Sequence, residues 1–80
     1  MYDITIYYRS KTGSYLNFGG MPEKFEIVGR GIELKTDVRD FTFRGPTVDV
    51  VSELITFLDQ KVETNVIGSD YQVIITRKDQ

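Results

Sequence analysis

The hydrophobic pattern of the chain changes its period once, at Gly45 and Pro46, and no other feature constrains the fold as strongly. Before that point, apolar and polar residues alternate, which is typical of β-strands with one buried face. After it, apolar residues recur at steps of three and four, as they do along one side of a helix. A run of strands followed by a helix predicts an α+β fold.

The clearest alternation lies at the N-terminus, where Tyr2, Ile4, Ile6 and Tyr8 share one face of a predicted strand. A polar run that contains a glycine follows, and the extended pattern resumes over residues 15–18. Glycine readily adopts the positive φ that tight turns need. The two segments are therefore predicted to form a β-hairpin.

A second hairpin is predicted from residues 24–28 and 32–36, joined by a tight reversal at the Gly-Arg-Gly sequence of residues 29–31. Residues 37–40 are expected to form a turn that leads into a strand over residues 41–44. The two phenylalanines of that strand are predicted to share its buried face.

The last predicted strand covers residues 71–77, and its centre is apolar on both faces. Strands of this kind are usually interior to a sheet or covered on both sides. The helical period before it runs from Pro46 to about Glu63, with Leu54 and Phe57 broadening its apolar side. The helix residues predicted to face the sheet are Val48, Val51, Ile55, Leu58 and Val62.

Composition favours strands, because the chain has 8 Ile, 8 Val and 8 Thr but only 4 Leu and no Ala. β-Branched side chains lose rotamer freedom in helices and pack well on a pleated surface. We predict an α+β fold in a single domain, residues 1–80: a small antiparallel β-meander of four to five strands, one amphipathic helix packed on one face, and a C-terminal strand re-entering the sheet. The predicted core is Ile4, Ile6, Leu16, Phe25, Ile27, Ile32, Leu34, Phe41, Phe43, Val51, Ile55, Leu58, Val73 and Ile75.

The chain contains neither cysteine nor histidine, and this excludes most familiar catalytic machinery. It has no thiol nucleophile, no thiolate zinc site and no imidazole base. The Gly-Arg-Gly sequence lies between predicted strands, not before a helix, so it does not fit a phosphate-binding loop. We predict a protein that is not an enzyme, with no catalytic residue, no metal site and no cofactor.

Charge and hydropathy narrow the choice of partners. With 10 basic and 12 acidic residues, the net charge is −2, which disfavours a long polyanion as the ligand. No stretch approaches the ~20 apolar residues of a membrane span, and the N-terminus lacks a signal-peptide pattern. We expect a cytoplasmic protein without a membrane partner.

Aromatic and basic residues on the predicted outward side of the sheet are the first candidates for partner binding, because Tyr and Arg are enriched at interfaces. These candidates are Tyr7, Arg9, Lys11, Tyr15, Arg30 and Arg44. The alternative is an ordinary sheet face that is charged for solubility.

The helix offers a second candidate surface, an acidic side that would suit a basic partner. It consists of Asp49, Glu53, Asp59 and Glu63. The alternative is a solvated helix face.

By elimination, these features predict a non-catalytic protein-binding module. In size, acidity and lack of catalytic residues the chain resembles the class of small stoichiometric inhibitors that phages and other mobile elements encode, anti-CRISPR proteins among them. The resemblance implies an inhibitor or accessory protein, and no specific motif carries it. The alternative function is the binding of a nucleotide or nucleic acid through the outward Tyr and Arg residues. The broad helix stripe and the two-sided last strand favour a homo-oligomer.

Overall fold

The structure is a computed structural model that describes residues 1–19 and 23–78. It contains four strands and one helix in these residues. Their bounds are β1 Tyr2–Arg9, β2 Glu26–Glu33, β3 Val38–Gly45, α1 Val51–Glu63 and β4 Gln72–Arg77.

The strands form one antiparallel sheet in the order β2-β3-β1-β4, so the first strand of the chain lies inside the sheet. β1 pairs along its whole length with β3, from Tyr2 opposite Gly45 to Arg9 opposite Val38. β4 returns after the helix and pairs with the other side of β1. The predicted α+β fold, an antiparallel sheet with one helix and a C-terminal strand that re-enters it, is confirmed, but the strands do not follow the consecutive order of a meander, because β3 lies between β1 and β2.

Alternation along β1 separates the two faces of the sheet. Ile4, Ile6 and Tyr8 are buried on the side that packs against α1, which we call the inner face. Thr5 and Tyr7 point to the opposite side, the outer face. The register carries this division to β3, where Phe41 and Phe43 lie opposite Ile6 and Ile4 on the inner face.

The predicted reversal at residues 29–31 is wrong, because β2 runs through it as one strand. The register shifts at a β-bulge between Ile27 and Gly29. Neither Gly29 nor Gly31 has the positive φ that a two-residue hairpin turn requires. A Cβ at Gly31 would lie 2.8 Å from Oδ2 of Asp40 on β3, so a larger residue there would require the Asp40 carboxylate to move. The chain reverses later, over residues 34–37, where Asp37 has a φ of 56°.

The hairpin predicted between β1 and residues 15–18 is also wrong, because this segment joins no strand and crosses the inner face. The Leu16 N–H donates to the Tyr8 hydroxyl at 2.9 Å. The Phe18 ring packs edge-on against Phe41 and Phe43, with centroids 4.9 and 5.3 Å apart. Aromatic packing therefore holds the segment where backbone pairing was expected.

The helix begins at Val51, five residues later than predicted, and ends at Glu63 as expected. The Asp49 N–H donates to the Thr47 hydroxyl at 3.1 Å, which holds the preceding residues in a turn. Leu54 and Leu58 are its buried residues, whereas Ile55, predicted to face the sheet, is 38% exposed.

An aromatic contact accounts for this rotation of the buried helix face. The Phe57 ring lies 5.4 Å from Phe18, on the segment that crosses the inner face. Phe57 and Leu54 lie three positions apart, so both are drawn toward the core together. The buried face is thereby shifted by about one residue from the predicted one.

Only part of the predicted core is buried. Ile4, Ile6, Leu16, Phe41, Phe43 and Leu58 are buried, and Phe25, Val51 and Val73 are partly buried. The other five are exposed: Ile27, Ile32, Leu34, Ile55 and Ile75. Four of these lie on or next to β2 and β4. The prediction that the last strand is interior to the sheet or covered on both sides is wrong, because β4 is an edge strand of the described sheet and its Ile74 and Ile75 are exposed.

Candidate protein-binding surface

The structure divides the six predicted binding residues between the two faces of the sheet. Tyr7, Arg9 and Arg44 lie on the outer face, according to the register of β1 with β3. The predicted outward position is wrong for Tyr15 and Arg30, which lie together on the inner face, beside β2. Lys11 lies in the loop after β1, where its Nζ donates to Oδ1 of Asn65 at 2.8 Å.

The two outer-face arginines already hold carboxylates. Arg44 donates from Nε and NH2 to the two carboxylate oxygens of Asp3, at 2.8 and 3.2 Å. Arg9 donates from NH2 to Asp70 at 3.1 Å. A fork of two parallel hydrogen bonds fixes the Arg44 guanidinium in one orientation.

The contact between Asp3 and Arg44 shifts the pKa of both side chains. The hydrogen bond from Arg44 holds the pKa of Asp3 below its ordinary value of 3.8, against the opposing effect of burial. The same hydrogen bond raises the pKa of Arg44. Arg44 thus joins two inner strands, since Asp3 lies directly opposite it across β1 and β3.

On the inner face, the Tyr15 ring contacts two guanidinium groups. The Cζ atoms of Arg30 and Arg39 lie 5.2 and 5.3 Å from its centroid. The ring also packs edge-on against Phe41 at 5.6 Å. Arg30 is exposed and reaches Tyr15 because it lies opposite Phe41 in the register of β2 with β3.

Arg39 lies beneath this group and holds the Tyr15 ring from the inner side of the sheet. It lies on the inner face and is buried. Its NH1 donates to the carbonyl and carboxylate of Asp37 at 3.1 and 3.0 Å, and its NH2 donates to the Gly13 carbonyl at 2.8 Å. Arg39 therefore ties the β2–β3 turn to the loop that precedes Tyr15. The sequence contains a signal for this position, because Arg39, Phe41 and Phe43 alternate along one strand and alternate residues of a strand share a face.

Beside Tyr15 runs a groove of about 290 Å³ between residues 15–19 and β2. Phe18, Phe25, Phe41 and Phe43 are among its lining residues, together with Ile27 and Arg30. We define the β2 face as four of the side chains at this groove and along the same side of β2. They are Tyr15, Ile27, Arg30 and Ile32.

Two isoleucines of the β2 face, Ile27 and Ile32, were predicted to lie in the core. Ile27 is 57% exposed and Ile32 is 42% exposed, although both were predicted to be core. They point to the inner side of the sheet, opposite Phe43 and Arg39, but no described residue covers them. An exposed apolar strip next to a groove is typical of a binding surface.

The acidic candidate surface is less organised. Asp49 precedes the helix, and Glu53, Asp59 and Glu63 are exposed along it. Asp59 accepts a hydrogen bond from the Tyr71 hydroxyl at 2.5 Å, which raises the pKa of Tyr71 to about 12. This contact links α1 to the start of β4.

Over residues 1–19 and 23–78, no group of three or more acidic side chains lies close enough to hold a metal ion. In the same residues, no helix is both long and apolar enough to cross a membrane. Comparison of the chain with protein-family models, with curated proteins and with solved structures finds no match.

Proposed function

We propose that the protein is a non-catalytic protein-binding module and that the β2 face is its partner-binding surface. The observation that carries the proposal is the placement of Tyr15 and Arg30 beside two exposed isoleucines and an aromatic-lined groove. Large aromatic and guanidinium groups with apolar neighbours are the residue types that dominate binding energy at protein interfaces.

The β2 face is also organised before binding. Arg39 is buried beneath it, and the Tyr8 hydroxyl holds the Leu16 N–H, so the loop that carries Tyr15 has fixed attachments at both ends. Binding then orders few additional side chains, which lowers the entropic cost of association.

The lining of the groove specifies the chemistry of the partner. Phe18, Phe25, Ile27 and the two β3 phenylalanines supply apolar surface, and Arg30 is its charged lining residue. A protein that inserts an apolar side chain and places a carboxylate near Arg30 satisfies both features. Binding without chemistry would act by blocking or adapting that protein, which is the role of a stoichiometric inhibitor or accessory subunit.

A nucleotide or nucleic-acid ligand fits this geometry less well. On the outer face, Arg9 and Arg44 would have to exchange their carboxylate partners, Asp70 and Asp3, for phosphates. On the inner face, Arg39 is buried and already donates to Asp37 and to the Gly13 carbonyl, so Arg30 is the arginine of that site that a phosphate could reach. A nucleotide titration that shifts amide signals of β1 and β3 at micromolar concentration would favour the nucleotide alternative over our proposal.

The test is affinity capture with the immobilised full chain, from a lysate of the organism that encodes it. Each retained protein is then purified, and its affinity is measured for the unmodified chain and for the Ile32→Lys, Arg30→Glu and Tyr7→Ala variants. We expect the two β2-face changes each to weaken binding at least about tenfold, because Ile32→Lys places a charge at a desolvated apolar contact and Arg30→Glu would repel the partner's carboxylate. The Tyr7→Ala variant is the matched control on the outer face and should bind as the unmodified chain does. Full binding by both β2-face variants would contradict the proposal.

A further inference from the structure

The free edge of β4 differs from the other edge of the described sheet, which is β2. No described strand lies beyond it, and Ile74 and Ile75 at its centre are each 45% exposed. Ile74 lies opposite Thr5 on the outer face, and Ile75 lies opposite Ile4 on the inner face. The strand therefore presents apolar surface on both sides of an unpaired backbone.

The hydrogen bonds of β4 show which backbone groups point away from the sheet. The Lys78 N–H donates to the Met1 carbonyl at 2.9 Å, so Lys78 is directed toward β1. Residues of an antiparallel strand bond alternately to one neighbour and the other. Gln72, Ile74 and Thr76 thus bond to β1, and the N–H and C=O groups of Val73 and Ile75 point outward.

Nothing in residues 72–76 protects this edge. The segment Gln-Val-Ile-Ile-Thr has no charge and no proline, and its pairing with β1 shows no bulge. Edge strands usually carry a charge, a proline or a bulge, because an edge without them readily pairs with another strand. β2, the opposite edge, has both a bulge and a charged residue, Arg30.

We propose that β4 pairs antiparallel with β4 of a second copy of this chain, so that two four-stranded sheets become one continuous sheet about a two-fold axis. The axis passes beside Ile74, which faces Ile74 of the second copy. Val73 then faces Ile75 of the second copy, so the outward backbone groups of both residues are paired. Gln72 faces Thr76, and every pair matches in polarity.

Charge complementarity identifies a second copy as the occupant. In this register Arg77 lies opposite Tyr71 of the second copy, the residue just before β4. The Tyr71 hydroxyl is bonded to Asp59, so the basic end of one strand meets an acidic side chain of the other chain. The two Arg77 side chains lie at opposite ends of the ladder and do not repel each other.

The register can be tested by disulfide formation, because the chain has no cysteine of its own. Ile74 and its copy form a pair that is not hydrogen-bonded, with Cα atoms about 4.5 Å apart, within the range that a disulfide spans. Two copies of Thr76, on the same face, lie about 14 Å apart. We expect the Ile74→Cys variant to form a covalent dimer under mild oxidation and the Thr76→Cys variant to remain largely uncrosslinked.

Light scattering tests the dimer without a cross-link. We expect the mass to rise from 9.2 kDa toward twice that value with increasing concentration. The Ile74→Lys and Ile74→Glu variants should each be monomeric, since like charges would face each other, and an equimolar mixture should recover the dimer. Melting curves confirm that each variant is folded.

Several results would overturn the inference. A mass of 9.2 kDa up to millimolar concentration would exclude the dimer. Equal cross-linking of the two cysteine variants would exclude the register. A dimer that survives Ile74→Lys but is lost in Ile32→Lys would assign self-association to the other edge.

Discussion

The two inner strands and the two edge strands contain the same kinds of residues but use them differently. Ile4 and Ile6 of β1 are fully buried, whereas Ile27 and Ile32 of β2 point to the same side of the sheet and are largely exposed. The inner strands hold the fold together, and the edge strands have apolar side chains and backbone groups that no described residue covers.

The spacing of strands and the width of a helix explain why only the inner strands are covered. Strands lie about 4.8 Å apart, and a helix with its side chains is about 10 Å across. One helix therefore covers about two strands, and the aromatic segment of residues 15–18 extends this cover over β3. Apolar residues on the edge strands remain uncovered because the chain has no second helix in the residues that the structure describes.

The largest expected effect separates an inner strand from an edge strand. Phe41→Ala should lower the free energy of unfolding by about 3–5 kcal/mol, because the ring is buried against Tyr15, Phe18 and Phe43. Ile32→Ala, on β2, should cost about 1 kcal/mol or less. Urea denaturation measures both, and equal losses would remove the distinction between the strands.

The helix allows the same comparison between a buried residue and an exposed one. Leu58→Ala should cost about 2–5 kcal/mol, since its side chain is fully buried between the helix and the sheet. Ile55→Ala should cost about 1 kcal/mol or less, because Ile55 lies outside the buried face. The reverse ranking in urea denaturation would mean that the helix packs through the face that the sequence predicted.

A smaller effect is expected at high pH, where the contact between α1 and β4 titrates. The pKa of Tyr71 is raised to about 12, and the tyrosine must be protonated to donate to Asp59. The contact stabilises the fold fully below the ordinary tyrosine pKa of 10.0 and is lost as the pH rises from there through about 12. Melting temperatures from pH 8 upward should therefore fall less steeply for Tyr71→Phe than for the unmodified chain. Identical slopes would show that the hydrogen bond contributes nothing.

The low-pH counterpart lies between the inner strands. Arg44 lowers the pKa of Asp3, so this pair stabilises the fold above pH 3.8 and is lost as the pH falls from there through the lower folded value. We expect Asp3→Asn to flatten the acid side of the stability profile. Asp49→Asn, at an exposed turn residue, is the matched control and should leave the profile unchanged.

The sequence predicted the buried residues of the inner strands well and the edges poorly, and residues 38–40, expected to form part of a turn, belong to β3. Alternation identified the buried residues Ile4, Ile6, Phe41 and Phe43, because an inner strand is paired with a neighbouring strand along both of its edges. The Gly-Arg-Gly sequence predicts a turn where the structure has a bulged strand, since a glycine-permitted reversal and a bulge have the same local pattern. Pairing with β3 decides between them, and that pairing is a long-range property.

The candidate site was predicted only in part. Tyr15 and Arg30 were expected to bind a partner, but Ile27 and Ile32 were expected to be core. The alternating pattern correctly predicted the side of the sheet that Ile27 and Ile32 face. Whether the helix reaches that side depends on the strand order and on the Phe18–Phe57 contact, which no local pattern contains.

Amide hydrogen exchange, on the chain alone and with its captured partner, tests the division between inner and edge strands most directly. In the chain alone, amides of β1 and β3 should exchange slowest, and those of β2 much faster. Adding the partner should slow exchange over residues 26–33 and around Tyr15, and leave the helix and outer-face segments unchanged. Slow exchange in β2 without a partner, or protection that appears on α1 and not on β2, would contradict the account.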